Sequence, residues 1–334
     1  MNLADVWFAL LGLILFLALA LDGFDLGIGI FSLFCRDEDQ RSTMLGSIGP
    51  VWHANLTWLV VLGGLLFGAF PLAYGVILSG LYIPLVIMLF GLIIRGVSFE
   101  FREEARHKFP WNLGFGLGSL TAALAQGFMV GGLVSGLKVE GRVFAGGVWD
   151  WFSPGAALVA LGLLCSYLLL GATYLILKTA GEVQGNAYRH ARAAAWTLLI
   201  VAVGLGFWAI FKYPFLARKW LVWPALWLTS VPILLVALCF IMLLGKRLRL
   251  SDWAPFAWSL ALLFFACLAM SASLYPYVVP PTMTVAEAAA PPLILTVMLA
   301  VMVLVLPLML IYNAYQYLVF RGKVSGGGYG AYED

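Results

Sequence analysis

Nine apolar segments, each close to the length of a bilayer-spanning helix, constrain this chain more than any other feature. They lie near residues 6–32, 50–70, 73–95, 112–136, 154–177, 193–212, 222–245, 254–275 and 291–318. A transmembrane helix needs about 20 consecutive, mostly apolar residues. Because hydrocarbon offers the backbone no external hydrogen-bond partner, we expect each segment to be an α-helix. The sequence therefore predicts an all-α integral membrane protein with nine transmembrane helices.

Composition supports a membrane protein and argues against several other classes. Only 10% of the 334 residues are charged, whereas soluble domains have about 25%. The connections between the segments are short, so a separate soluble domain has no room. The net charge of +3 comes without a basic run, so we expect no nucleic-acid partner. The four cysteines form no CxxC pair, which predicts neither a metal site nor a disulfide framework.

The distribution of lysine and arginine predicts the orientation in the membrane. With the N-terminus outside, fourteen of the 19 basic residues fall on the cytoplasmic side and the other five fall outside. Cytoplasmic loops carry an excess of lysine and arginine. We therefore expect the N-terminus outside and the C-terminus in the cytoplasm.

Four ionisable side chains lie in or beside the first three segments. Asp22 and Asp25 are three residues apart in the first segment, so they share one helix face. His53 lies near the start of the second segment, and Glu100 follows the third. In the predicted orientation, all four lie toward the cytoplasm. Ionisable groups at bilayer depth are costly and mark proton relays or other functional sites, so this group predicts a proton path.

Structural roles for the same residues are the alternative. Asp22 or Asp25 could form a buried ion pair with Arg95, a common way to place a charge in lipid. His53 could be an interior histidine that is hydrogen-bonded across helices, and Arg102 could be an ordinary interfacial charge. If every acidic group tolerated neutral substitution, the chain would be a pure scaffold.

Glycines surround the two aspartates of the first segment. Gly23, Gly27 and Gly29 are small enough to let a neighbouring helix approach closely. This spacing predicts tight helix packing around the acidic positions.

The histidine count bears on haem binding. The chain has three histidines, of which His53 is the only one within an apolar segment. We expect His107 and His190 in cytoplasmic loops. A bis-histidine haem site needs two histidines at membrane depth, so we predict that this chain binds no haem.

Several motifs make the chain similar to a known family. The stretches Asp22–Gly29 (DGFDLGIG), Gly49–Trp58 (GPVWHANLTW), Arg95–Arg102 (RGVSFEFR), Gly171–Tyr174, Lys178–Glu182 and Tyr275–Pro280 resemble subunit II of cytochrome bd-type quinol oxidases. The similarity runs in order over most of the chain. The cyanide-insensitive branch of that family is one candidate.

The resemblance implies an architecture of two four-helix bundles and one peripheral helix. The first bundle would span 6–136 and contain the acidic and histidine cluster, and the second would span 154–275. Residues 291–318 would form the last helix, and 319–334 a flexible cytoplasmic tail.

The resemblance also implies a function. It predicts the haem-free subunit II of a quinol:dioxygen oxidoreductase in a bacterial cytoplasmic (inner) membrane, paired with a homologous subunit I that carries two haems b and one haem d. This chain would stabilise subunit I and supply part of a cytoplasm-facing proton path. The resemblance leaves open whether a structural quinone binds to this chain and whether a small single-helix accessory subunit joins the complex. The alternative is a proton-coupled secondary transporter that uses the same acidic cluster.

The resemblance assigns residues to two groups. The implied proton path comprises Asp22, Asp25, Trp52, His53 and Glu100, and the implied structural or interface residues are Asn55, Trp58, Arg95 and Arg102. The usual family pattern is Trp-Asp-Gly-Asn-x-x-Trp, but this chain has histidine at position 53. Histidine can still relay protons, although it is neutral or positive where aspartate is negative.

Overall fold

Helices dominate the structure, a computed structural model that describes residues 2–213, 220, 225–245, 251–324 and 332–333. The helices are α1 (Leu3–Phe34), α2 (Glu38–Gly46), α3 (Trp52–Ala69), α4 (Pro71–Gly80), α5 (Tyr82–Glu104), α6 (Phe109–Ser135), α7 (Pro154–Lys178), α8 (Gly181–Lys212), α9 (Ala225–Leu244), α10 (Ala254–Leu274), α11 (Val285–Ala288) and α12 (Pro292–Val319). Three antiparallel strand pairs lie in connections: β1 (Val139–Glu140) with β2 (Val143–Phe144), β3 (Tyr277–Val279) with β4 (Met283–Thr284), and β5 (Lys323–Val324) with β6 (Tyr332–Glu333).

Eight of the predicted spans coincide with helices that are long and apolar enough to cross a membrane. Within the described residues these are α1, α3, α5, α6, α7, α8, α10 and α12. The segment predicted at 222–245 coincides with α9, but 222–224 lie outside the described residues, and the apolar stretch found there, Ser230–Leu244, is shorter. Nine transmembrane helices therefore remain a prediction.

The bounds of the third predicted span are wrong. The gap between the predicted segments 50–70 and 73–95 contains a break, since Phe70 caps the end of α3 and Pro71 begins α4. A second break follows at Leu81, and α5 then continues to Glu104, so Glu100 lies within this helix. Hydropathy cannot detect the second break, because the chain is apolar on both sides of it.

Two further differences lie on the predicted cytoplasmic side. Helix α8 begins at Gly181, so His190 lies in a helix and not in the expected loop. The short helix α2 was not predicted, although Asp37 caps it by accepting hydrogen bonds from the backbone of Asp39 and Gln40. Hydropathy reveals only the apolar part of a helix, so polar turns beyond it go undetected.

Helix α1 is central to the packing. It contacts α3, α6, α7 and α10, while α7 also contacts α6, α8 and α10. The glycines of α1 permit this: a Cβ on Gly27 would lie 2.0 Å from the carbonyl oxygen of Tyr167, and a Cβ on Gly23 would lie 2.5 Å from the Tyr167 ring. The predicted tight packing around the aspartates is confirmed.

The division into two bundles and the sides of the termini stay predictions. Helices α1 and α7, which belong to different predicted bundles, contact each other directly. The flexible tail was predicted for 319–334, and most of its last ten residues, 325–331 and 334, lie outside the described residues.

Candidate functional site

A buried arginine joins the two aspartates of α1. Arg95 Nη1 on α5 donates a hydrogen bond to Asp22 Oδ1 at 2.6 Å, and Arg95 Nη2 lies 3.6 Å from Asp25 Oδ2. All three side chains are at most 1% exposed. Buried charges are tolerated when they are paired, and here one guanidinium faces two carboxylates. The ion-pair alternative therefore holds for Asp22 and, at a longer distance, for Asp25.

Asp22 has both carboxylate oxygens engaged. Its second oxygen, Oδ2, accepts a hydrogen bond from Gln126 Nε2 on α6 at 3.2 Å. Gln126 Oε1 in turn accepts a hydrogen bond from the Tyr167 hydroxyl on α7 at 2.5 Å. Because four helices contribute to this arrangement, Asp22 is held in one place.

Asp25 is held on one side only. Asn55 Nδ2 on α3 donates to Asp25 Oδ2 at 3.0 Å, and Asn55 Oδ1 accepts from the Tyr317 hydroxyl on α12 at 2.6 Å. Asp25 Oδ1 makes no hydrogen bond to any residue that the structure describes. Asp25 therefore differs from Asp22, whose two carboxylate oxygens are both engaged.

His53 and Glu100 form a second, exposed group. His53 Nε2 lies 3.3 Å from Glu100 Oε1, and the two side chains are 71% and 59% exposed. His53 is hydrogen-bonded across helices, as the structural alternative expects, but it lies on the exposed face of α3 and not in the interior of this chain. Trp52 connects the two groups: its ring stacks on His53 with a centroid distance of 3.8 Å, and the Arg95 guanidinium carbon is 5.9 Å from the Trp52 ring.

Arg102 is not an ordinary interfacial charge. It is 2% exposed and donates to Asn112 Oδ1 at 2.5 Å, to Glu38 Oε1 at 2.6 Å and to Ser42 Oγ at 3.0 Å. Glu38 also accepts from Asn112 and pairs with Arg41. Helix α2 covers Arg102, and since that helix was not predicted, the burial of Arg102 could not be predicted either.

The remaining predicted position, Trp58, connects two helices. Its Nε1 donates to Asn313 Oδ1 on α12 at 2.9 Å. Sequence reasoning missed Asn313, and it also missed Gln126, Tyr167 and Tyr317. These are polar side chains inside apolar helices, a signal that could have found them.

The described part of the chain contains no cluster of side chains suited to binding a metal ion. No group of three or more His, Cys, Asp or Glu side chains could hold a metal ion there. The three histidines lie on separate elements: His53 on α3, His107 between α5 and α6, and His190 on α8.

Fold and site together define a multi-pass helical membrane protein with a charge-paired carboxylate cluster in its interior. Residues 3–320 match the family described as cytochrome bd terminal oxidase subunit II, and the chain belongs to that family.

Individual proteins agree with the family match over nearly the whole chain. The chain is 29% identical to the cytochrome bd-I ubiquinol oxidase subunit 2 of Escherichia coli K12, covering 96% of this chain and 94% of that one. It is 28% identical to the cytochrome bd ubiquinol oxidase subunit 2 of Bacillus subtilis 168, covering 97% of both. Its fold resembles the bd oxidase structure from Geobacillus thermodenitrificans, with a TM-score of 0.74 at 22% identity, covering 97% of this chain and all of that one.

Proposed function

We propose that this chain is the haem-free subunit II of a bd-type quinol:dioxygen oxidoreductase in a bacterial cytoplasmic membrane. Family membership supports the complex, and two relatives are named ubiquinol oxidase subunits. In this proposal a homologous subunit I holds two haems b and one haem d, which supply the chemistry of dioxygen reduction. This chain contributes a proton path and a stabilising surface.

The donor chemistry of the chain supports its haem-free role. Axial ligation by two histidines needs a facing pair within the membrane interior. His53 is the only histidine in the predicted apolar segments, and it projects outward beside Glu100. The described residues therefore do not fit a bis-histidine haem.

The observation that carries the proton path is the unequal engagement of the two aspartates. Asp22 is fixed in an ion pair, whereas Asp25 keeps one oxygen without a hydrogen bond among the described residues. We assign Asp25 and Glu100 as relays for proton uptake and His53 as the terminal relay. Trp52, stacked on His53, orders that ring.

The surface around Glu100 supports contact with a partner. Ile93, Val97 and Glu100 are spaced i, i+4 and i+7 on α5, so they share one face, and the two apolar side chains are exposed. His53 borders the same face. A partner that covers this surface would bury the apolar side chains and receive protons from His53.

Neutralising the uptake relays tests the path. In the intact complex, Asp25→Asn is expected to lower quinol-driven oxygen consumption roughly 100-fold, since an amide keeps the shape but cannot carry the proton. We expect a loss for Glu100→Gln as well, because the amide there cannot carry the proton either. Stopped-flow proton uptake with a pH-sensitive dye should fall in parallel.

Glu103→Gln is the matched control for these variants. Glu103 is exposed near the end of α5, so its neutralisation should leave turnover unchanged. If Asp25→Asn and Glu100→Gln both retain wild-type turnover and proton uptake, the path lies elsewhere.

The haem-bearing partner is tested by isolating the complex on this chain. We expect a second polypeptide to co-purify, and a reduced-minus-oxidised spectrum to show the far-red band of haem d. A colourless, single-chain preparation from membranes that themselves lack the band would reject the oxidase assignment and favour the transporter alternative.

A further inference from the structure

Helix α12 carries a polar face although most of the helix is apolar. Asn313, Gln316 and Tyr317 are spaced i, i+3 and i+4, so they share this face. Each one bonds to α3 or to the turn before it. Asn313 accepts from Trp58, Gln316 donates to the carbonyl oxygen of Pro50, and Tyr317 donates to Asn55. The last helix is therefore attached at two points to α3 and at a third to the turn before it.

Of these three contacts, only the one made by Tyr317 continues through Asn55 to a carboxylate, that of Asp25. The Asn55 side chain has an acceptor end and a donor end. Because the Tyr317 hydroxyl occupies the acceptor end at 2.6 Å, the donor end faces Asp25 Oδ2 at 3.0 Å. A reversed amide would place its oxygen against the carboxylate and lose the hydrogen bond to Asp25, although the Tyr317 hydroxyl could then accept from the amide nitrogen.

We infer that Tyr317 is a positioning residue for proton transfer through Asp25. Its hydroxyl holds the Asn55 amide in place, and Asn55 in turn holds Asp25 by Oδ2. The other oxygen, Oδ1, then keeps no hydrogen bond to the described residues and can take up a proton. This inference rests on the proposed function and extends the functional unit to α12.

A purely structural role for the Tyr317 hydroxyl makes a different prediction. The hydroxyl could simply attach α12 to α3, in which case its loss would reduce assembly and leave the chemistry unaffected. Two attachments, through Asn313 and Gln316, remain when this hydroxyl is removed. Tyr317→Phe should therefore separate positioning from assembly.

The experiment compares Tyr317→Phe with wild type in the intact complex. Turnover per assembled complex is expected to fall about 3- to 10-fold, the scale of one hydrogen bond. The pH profile of turnover should be displaced, while the KM for quinol and the amount of complex stay unchanged. Tyr315→Phe is the matched control, since Tyr315 lies on the same helix and is 65% exposed.

The Asp25→Asn variant shows whether a negative result counts against the role of Tyr317 or against the proposed proton path. In that background, adding Tyr317→Phe should cause no further loss of turnover, because Tyr317 acts on the proton path only through Asn55 and Asp25. If Tyr317→Phe lowers only the amount of complex, or changes nothing, while Asp25→Asn still lowers turnover roughly 100-fold, the positioning role is wrong and the path stands. If Asp25→Asn itself has no effect, the path fails.

Discussion

Replacing Arg95 with methionine is expected to destabilise the protein by about 3–5 kcal/mol, the cost of removing one partner from a buried ion pair. The variant would leave Asp22 and Asp25 buried together without a cation. We expect a lower thermal unfolding midpoint for the purified complex and less assembled protein in membranes. Immunoblotting and a thermal scan in detergent measure the two effects.

Two further variants separate loss of charge pairing from loss of packing. Arg106→Met removes an exposed arginine from the connection after α5, so it should leave the unfolding midpoint unchanged. Adding Asp22→Asn to Arg95→Met removes one unpaired buried charge and should recover part of the lost stability. A wild-type midpoint for Arg95→Met would show that the pair does not support the fold.

The second large effect is expected at the contact between α1 and α7. A Cβ on Gly27 would lie 2.0 Å from the carbonyl oxygen and 2.8 Å from the carbonyl carbon of Tyr167. Both are backbone atoms, so the two helices must separate. We expect Gly27→Ala to cost about 1–3 kcal/mol or more and to lower turnover, because Asp25 lies on the same helix.

Gly171→Ala and Gly204→Ala complete this test. A Cβ on Gly171 would lie 2.8 Å from the Gly27 carbonyl carbon, so this variant should destabilise the same contact. Gly204 on α8 has open space around its Cβ position, and alanine there should stabilise the helix by about 0.5–1 kcal/mol. Equal effects of Gly27→Ala and Gly204→Ala on the unfolding midpoint would exclude close packing as the role of Gly27.

Much of the site could be predicted from local sequence. The three-residue spacing of Asp22 and Asp25 places them on one helix face, and both point into the protein. The glycines around them predict the close helix contact that the structure contains. Such features depend only on helical periodicity and side-chain size, which are local properties.

Other features depend on residues far apart in the chain. Asp22 is fixed and Asp25 is partly open because Gln126 bonds only the first, while Asn55 bonds only the second. Arg102 is buried because α2 folds over it. No local pattern encodes these partners, since they depend on how each helix is rotated about its own axis.

The sequence alone determined that this chain is a helical membrane protein with acidic side chains in its interior. Long apolar runs leave the backbone no alternative to helices, and two charges on one helical face must find partners. Tertiary structure alone decided that Arg95 lies closer to Asp22 than to Asp25, and that Asp25 keeps one oxygen without a hydrogen bond among the described residues. It also brought Tyr317 from the last helix to Asn55, because the packing of whole helices, and not their periodicity, sets the contacts between distant polar groups.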